Sequence, residues 1–399
     1  MKSRFENGIL TFFPEGRLNA YTAGSAEKEM LQAIGEHCPE KVCCDCGALE
    51  YIASAGLRVL LRIGKQKPLS LCNVSYGVYE VLHLTGFDDL FETRRQMRTL
   101  SVEGCKVVGK GFSSTVYRYD PETIVKVFSE RISLERIYSE TESAKKSFVS
   151  GIPTAIPYDV VRVGNGYGTM FEFLDADTLS QNLMDHPERF DELMDKYVRL
   201  LRQFHETPAV EGAFPDIRKK YHTWAGGLGK YMEEDEVAAL HRLIDAIPER
   251  KTMLHVDCHS QNIMVQDGKL IFVDMADVSE GHPLVDIGTE YFHYIIARET
   301  SLGAKLVFRV EPEDHELPVK VWNALVDRYF AGKSEEQMCE IREMLRYFGC
   351  MRCLILVAKH SQIDYGTAME LVNRQRADLY PHIDRAAELF AKADQFFPS

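Results

Sequence analysis

The stretch LHVDCHSQNIMVQDGKLIFVDMAD, residues 254–277, gathers carboxylates and amides at one end of a short apolar hairpin. Asp267-Gly268 is the kind of pair that accepts the positive φ angles of a tight two-residue turn. Ile263-Met264-Val265 runs in on one side and Leu270-Ile271-Phe272-Val273 runs out on the other. Pairing Gln266 with Lys269 across the turn puts Asn262 opposite Val273. Asp274 comes next, so the Asn262 amide and the Asp274 carboxylate are expected side by side at the open end, with Asp257 in the loop feeding it. An amide oxygen beside a carboxylate suits a hard cation such as Mg²⁺, which takes few protein ligands and fills its shell with phosphate and water. A further carboxylate nearby is what phosphoryl transfer uses to orient an attacking hydroxyl. Two plainer readings compete. Polar residues crowd at hairpin ends as turn formers and helix caps. His255, Asp257, Cys258 and His259 could instead hold zinc, although no distant Cys or His pair completes the usual spacing.

The chain has 399 residues, enough for two ordinary domains, and its apolar (45%) and charged (27%) fractions are those of a globular protein. A formal net charge of −13 disfavours binding to a phosphate backbone, so no nucleic-acid partner is expected. No apolar run is long enough to span a bilayer, and Met1–Asn7 is charged with no signal-peptide core. A cytoplasmic protein without a membrane partner is the expectation. The ten cysteines then read as reduced thiols. Cys43, Cys44 and Cys46 fall on an expected strand and Cys350 and Cys353 in an apolar helical stretch, which makes them core thiols rather than metal ligands.

Two textures divide the chain. Up to about residue 97, strand patterns (GILTFFPEGRL, KVCCDCGAL, PLSLCNVS) alternate with helical spacing (AGSAEKEMLQAIGEH, AGLRVLLRIGKQK), the pattern of an α/β sandwich. From about residue 98 a strand-rich segment begins, and beyond Leu179 the chain reads as mainly helical, interrupted by the hairpin. In VVGKGFSSTV, Gly109 and Gly111 lie between two strand patterns and would let a backbone approach phosphate closely. Lys126 interrupts the apolar strand TIVKVF, so it is either an edge-strand charge or a buried cation with an anionic partner. Glu140 in the following helix is the candidate partner, with Glu142 as the alternative. A glycine loop, a strand lysine, a helix glutamate, an Asp…Asn loop and a hairpin aspartate thus follow one another in order.

Residues from about 98 to 399 resemble the aminoglycoside-phosphotransferase branch of the protein-kinase-like superfamily. LHVDCHSQN is similar to the H-G-D-x-H-x-x-N loop of that branch, and IFVDMADVSEGHPLVDIG to its I-D-W…G-D-P…D-L segment. The resemblance implies a bilobal kinase-like fold, with an antiparallel-sheet N-lobe over about 98–176 and a mainly helical C-lobe over about 177–399. It implies Asp257 as catalytic base or hydroxyl-orienting group, Asn262 and Asp274 as Mg²⁺ ligands, Lys126 on the phosphates of ATP, and Glu140 pinning Lys126. Asp286 and His255 would brace the loops, and the strand MFEFLDADTL from Met170, with Glu172, would read adenine through its backbone. Two positions depart from the pattern: Ser114 replaces the third glycine of the loop, and Val256 the glycine between His255 and Asp257. Met275-Ala276 after the metal aspartate, the absence of an A-P-E tripeptide and the short following gap favour a small-molecule hydroxyl acceptor over a protein. Acceptor choice is expected to rest on about 180–250 and 288–399, where Glu290, Asp364 and Glu370 read by default as a solvated face.

The first 97 residues resemble the STAS (anti-sigma-factor antagonist) domain. The likeness is carried by LEYIASAGLRVLLRIGKQK and LCNVSYGVYEVLHLTGFDDLF. It implies a protein partner for this module and a phosphorylation switch at Ser54, where a dianion would meet exposed N–H groups at a helix start. The alternative is that Ser54 caps a helix starting near Ala55. Ala53 stands where that family has aspartate.

Overall fold

Period-two burial runs along Ile9–Phe13 and Lys41–Asp45, where Leu10, Phe12, Val42 and Cys44 turn to a core and their neighbours do not. With Lys2–Glu6, Leu69–Val74 and Glu92–Arg95 these strands form a five-stranded sheet in the order 2–6, 9–13, 41–45, 69–74, 92–95. The first pair is antiparallel and the others are parallel. The helices Ala23–His37, Ser54–Gln66 and Tyr76–Leu84 cover it. The computed structural model describes residues 1–111, 113–300, 305–308, 314–359 and 363–397. These form two units, one of residues 1–101 with 161–164 and one of residues 102–160 with 165–399.

Two expectations for the first unit need correction. The helix begins at Ser54 itself, with the extended cap backbone at Ala53; Ser54 is exposed and makes no capping hydrogen bond. Capping requires a side-chain oxygen on the residue with extended backbone, and Ser54 is one position too late. Cys44 and Cys46 are core thiols, as are Cys350 and Cys353 in the second unit, but Cys43 is only half-buried. Its Sγ lies 3.4 Å from that of Cys72, and this hydrogen bond brings the Cys43 thiol down to about 6.

In the second unit Lys106–Lys110, Ser114–Arg118, Thr123–Phe128 and Gly166–Glu172 run antiparallel in that spatial order. Helix Leu134–Val149 starts at Ser133, whose hydroxyl accepts from Arg136 N, and buries Glu140 beneath the sheet's Lys126. The hairpin forms in the expected register, from Ile263 opposite Phe272 to Gln266 opposite Lys269. Asp267 (φ 50°) and Gly268 (φ 73°) make its turn, and Val273 N donates to Asn262 O at 2.9 Å. Asn262 and Asp274 therefore leave the hairpin's open end together.

The loop before the hairpin is fixed by one carboxylate. Asp286 is fully buried and accepts from His255 N (2.9 Å), Val256 N (2.7 Å) and His205 Nε2 (3.1 Å). The double backbone contact holds buried Val256 at φ 72°, a left-handed conformation that a β-branched residue rarely adopts. The loop thus keeps a glycine-type conformation without the glycine. Helix Leu284–Tyr291, which carries Asp286, packs against the long helix Glu335–Lys359. A Cβ on Gly288 would lie 2.4 Å from the Phe348 ring, and one on Gly349 2.6 Å from that of Tyr291, so two glycines set the separation of these helices.

Gly288→Ala is therefore expected to destabilise the protein by about 1–3 kcal/mol, because the buried Phe348 ring has nowhere to move. Gly226→Ala, with open space at its Cβ, should change the denaturation midpoint little by comparison. At position 256 the ordinary order should invert: Val256→Gly should be about 1 kcal/mol more stable than Val256→Ala, since only glycine escapes the left-handed strain. Urea denaturation of the two variants checks this, and a more stable alanine variant would refute the positive φ.

Candidate active site

Two cavities flank the hairpin's open end. An apolar cleft of about 390 Å³ lies between the sheet and the hairpin, lined among others by Val108, Gly109, Val116, Glu172, Leu174 and Met264. A more polar cavity of about 190 Å³ holds Gly111, Ser114, Lys126, Asp257, Asp274 and Arg352. Gly109 and Gly111 leave the walls open without being sterically required, since added Cβ atoms would meet neighbours at 3.4 and 3.6 Å. Glu172 lines the cleft, yet its N–H donates to Ile156 O and its carboxylate accepts from Ile156 N. The Glu172 N–H is thus committed within the protein, and its carboxylate braces the rim of the cleft.

Lys126 is the central cation. Its Nζ lies 2.6 Å from Glu140 Oε1 and 2.9 Å from Asp274 Oδ1. Burial opposes the charge, but Asp274 and Glu140 together outweigh it and raise the lysine above its ordinary value. The alternative partner, Glu142, pairs with Lys145 instead. Asp274 sits at φ 61° just past the hairpin, with its side chain about half exposed.

Asp257 faces the same cavity, and both of its oxygens are held. Oδ1 accepts from His293 Nε2 at 3.2 Å, and Oδ2 from Asn262 Nδ2 at 3.2 Å. Burial would raise its carboxyl, yet His259 and His293 beside it, with the His293 hydrogen bond, keep it well below the usual range. Asn262 Nδ2 also donates to Asp257 O at 2.9 Å, which leaves Asn262 Oδ1 as the atom to face a cation. Behind Asp257, His293 Nδ1 lies 3.2 Å from Glu290 Oε1. Burial disfavours the imidazolium, but Glu290 and Asp257 between them raise it to about 9. Glu290 is fully buried, which overturns the reading of it as a solvated face; Asp364, capping a helix through Thr367 N, and Glu370 are exposed as expected.

The zinc foursome does not converge. Cys258 Sγ turns to Glu290 (3.3 Å), and His255 Nε2 lies 3.2 Å from Val273 O with its ring against Phe272. Another trio, Asp257, His259 and His293, has ligand-type atoms within 4.8 Å of one another. Within it, His259 Nδ1 accepts from Gln261 N, and burial brings the imidazole down to about 4. That leaves the single proton on Nε2, the atom a metal would need.

The far wall comes from helix Glu335–Lys359, which presents Arg352, Leu356 and Lys359 to the cavity at i, i+4, i+7 spacing. Lys359 pairs with Asp277. Lys220 Nζ donates to Asp277 O (2.9 Å) and Ser279 Oγ (3.1 Å), and burial brings it down to about 8. Burial opposes the charge on Asp277, but Lys359 and Lys220 hold its carboxyl down to about 2. His293 and Arg352 escape the sequence patterns. His293 sits on a π-helical turn, Phe292–Ile296, whose extra residue no periodicity announces. Arg352 lies in an apolar helical run beside Cys350 and Cys353, where sequence spacing marks no cavity.

The model of the phosphotransferase enzyme family matches residues 104–316, and that of the STAS domain residues 1–100. BtrV of Bordetella bronchiseptica, a proposed anti-sigma factor antagonist, is 34% identical over 90 residues, 21% of this chain and 77% of that protein. A choline/ethanolamine kinase family protein from Mesorhizobium loti is similar at 15% identity over 72% of this chain and 92% of its own, with a TM-score of 0.46. The streptomycin–ATP ternary complex of APH(2")-IIa is similar at 15% identity over 72% and 93%, with a TM-score of 0.43. With a family match over more than half of its 399 residues, the chain belongs to the phosphotransferase enzyme family, as a kinase-type phosphotransferase with an N-terminal STAS domain.

Proposed function

We propose that the chain transfers the γ-phosphoryl group of ATP to a hydroxyl of a small molecule in a Mg²⁺-dependent reaction. The observation that carries this reading is the sharing of one cavity by the Asp257 carboxylate and the Lys126–Asp274 ion pair. Asn262 Oδ1 and the Asp274 carboxylate are hard oxygen donors at one hairpin end and would hold Mg²⁺. The ion would neutralise charge on the phosphates. Lys126, kept in place by Glu140, contributes fixed positive charge beside them. Gly109 and Gly111 let the backbone come close to the phosphates, and the apolar cleft rimmed by Glu172 takes the adenine.

Asp257 does the orienting. Kept ionised and held through both oxygens by His293 and Asn262, it accepts a hydrogen bond from the acceptor hydroxyl and aligns it for in-line attack. His255 and Asp286 hold the loop that carries it. On this reading the phosphotransferase domain occupies 98–399, with lobes dividing near residue 176, and the STAS module 1–97. A cytoplasmic location, where ATP and reducing conditions coincide, suits it; among the described residues no helix is long and apolar enough to cross a membrane.

Thermal stabilisation of the natural chain, Asp274→Ala and Asp257→Ala by ATP, with and without Mg²⁺, is the test. The natural chain should show a Mg²⁺-dependent shift that Asp274→Ala loses. Asp257→Ala should keep that shift while phosphate transfer falls at least a hundredfold. Loss of both functions together in Asp257→Ala would contradict its orienting role.

A regulatory role for the STAS module is the second reading, favoured by Ser54 standing exposed at the first position of its helix with no capping bond. A phosphate there would meet free N–H groups. Intact-mass measurement after incubation with MgATP should find one phosphate, absent in Ser54→Ala. An unmodified natural chain would rule out self-phosphorylation.

A further inference from the structure

Arg352 is 1% exposed, and its Nε and Nη1 are buried with no hydrogen-bond partner. A guanidinium taken from water is normally paired with a carboxylate or bonded to carbonyl oxygens, because the desolvated charge is otherwise unfavourable. Arg352 has neither among the described residues, yet it lines the polar cavity that contains Asp257. Its surroundings deepen the imbalance. Lys220 and Lys359 both pair with Asp277, so that carboxylate is already shared between two cations. Tyr221, whose ring centre lies 6.0 Å from the guanidinium, offers only a π-face. Position matters as well: Arg352 influences Asp257 and Lys220, whereas Lys126 has its own two carboxylates. The unpartnered charge therefore stands on the hydroxyl-orienting side of the cavity.

We propose that the acceptor is an anionic alcohol, and that Arg352 receives its carboxylate or phosphate while Asp257 aligns its hydroxyl. A planar guanidinium presents several N–H donors in its plane and suits either anion. Lys359, two turns further along the same helical face, adds positive charge beside it without being needed for the pairing. This inference rests on the phosphotransferase reading of the cavity and adds the chemical class of its substrate. Residues 352 and 359 lie beyond the segment matched by the phosphotransferase family, 104–316.

The test uses the full chain in two steps. Binding of MgATP is measured first, in the natural protein, Arg352→Gln and Arg352→Lys. A natural chain that does not bind it overturns the phosphotransferase reading, and this inference with it. Matched alcohols are then titrated into the MgADP-loaded proteins: glycerate and glycerol 3-phosphate as anions, glycerol as the neutral form and choline as the cation. The natural chain should bind one of the anions at least tenfold more tightly than glycerol or choline. That preference should vanish in Arg352→Gln and survive in part in Arg352→Lys, with MgATP binding retained by both. Equal binding of all four, preference for glycerol or choline, or an anion preference unchanged in Arg352→Gln would overturn the proposal. So would a loss of MgATP affinity in Arg352→Gln, which would assign the guanidinium to the donor's phosphates. Glycerate against glycerol 3-phosphate separates a carboxylate from a phosphate as the anion.

Discussion

Two consecutive backbone N–H groups, those of His255 and Val256, end on the two oxygens of one buried carboxylate, Asp286. Everything in the site hangs from this contact. It turns the chain into the left-handed conformation at Val256 and so aims the Asp257 side chain at the cavity. It also links the loop to helix Leu284–Tyr291, and through that helix to the long helix bearing Arg352. A buried carboxylate is tolerable because three donors meet it, with His205 as the third. Removing it would leave two orphan N–H groups and release the conformation that Val256 resists.

Charge is distributed unevenly across the cavity. On the side of the sheet, Lys126 faces two carboxylates, so negative charge is in excess there. On the side of the C-terminal helix, Lys220 and Lys359 share the carboxylate of Asp277, and Arg352 adds a third cation that pairs with no carboxylate among the described residues. Asp257 stands between the two, its own charge matched by a histidine that Glu290 keeps protonated. A carboxylate paired from behind stays ionised while presenting less net charge to the cavity.

Much of this was readable before any coordinates, for reasons of local chemistry. The hairpin register followed from Asp267-Gly268, because a two-residue turn leaves no freedom in pairing. A charge in an apolar strand left Lys126 as either an edge residue or a paired cation, with Glu140 and Glu142 both in reach; burial against Glu140 decides between them. The residues that escaped depend on packing between distant segments. Glu290 reads as surface in a sequence, and only the approach of Cys258 and His293 explains its burial. Ser54 fell one position past the cap because helix starts are set by backbone geometry that Ala53 satisfies as well. Arg352 carries the same signal as Lys126, a cation in an apolar run, FGCMRCLILVAK, but no candidate carboxylate partner lies within that run to mark it as functional.

The close contact between Gly288 and Phe348, and between Gly349 and Tyr291, bears on how such a site can diversify. Because each contact sets a glycine of one helix against an aromatic ring of the other, the distance between these helices is fixed at Gly288–Phe348 and Gly349–Tyr291 and not by the side chains at 352, 356 and 359. Exchanging those side chains would change what the wall recognises without shifting where it stands. New acceptor preferences are then reachable by single replacements on one helical face, each tolerated by the scaffold, so that selection could act on specificity with the phosphoryl-transfer apparatus left intact.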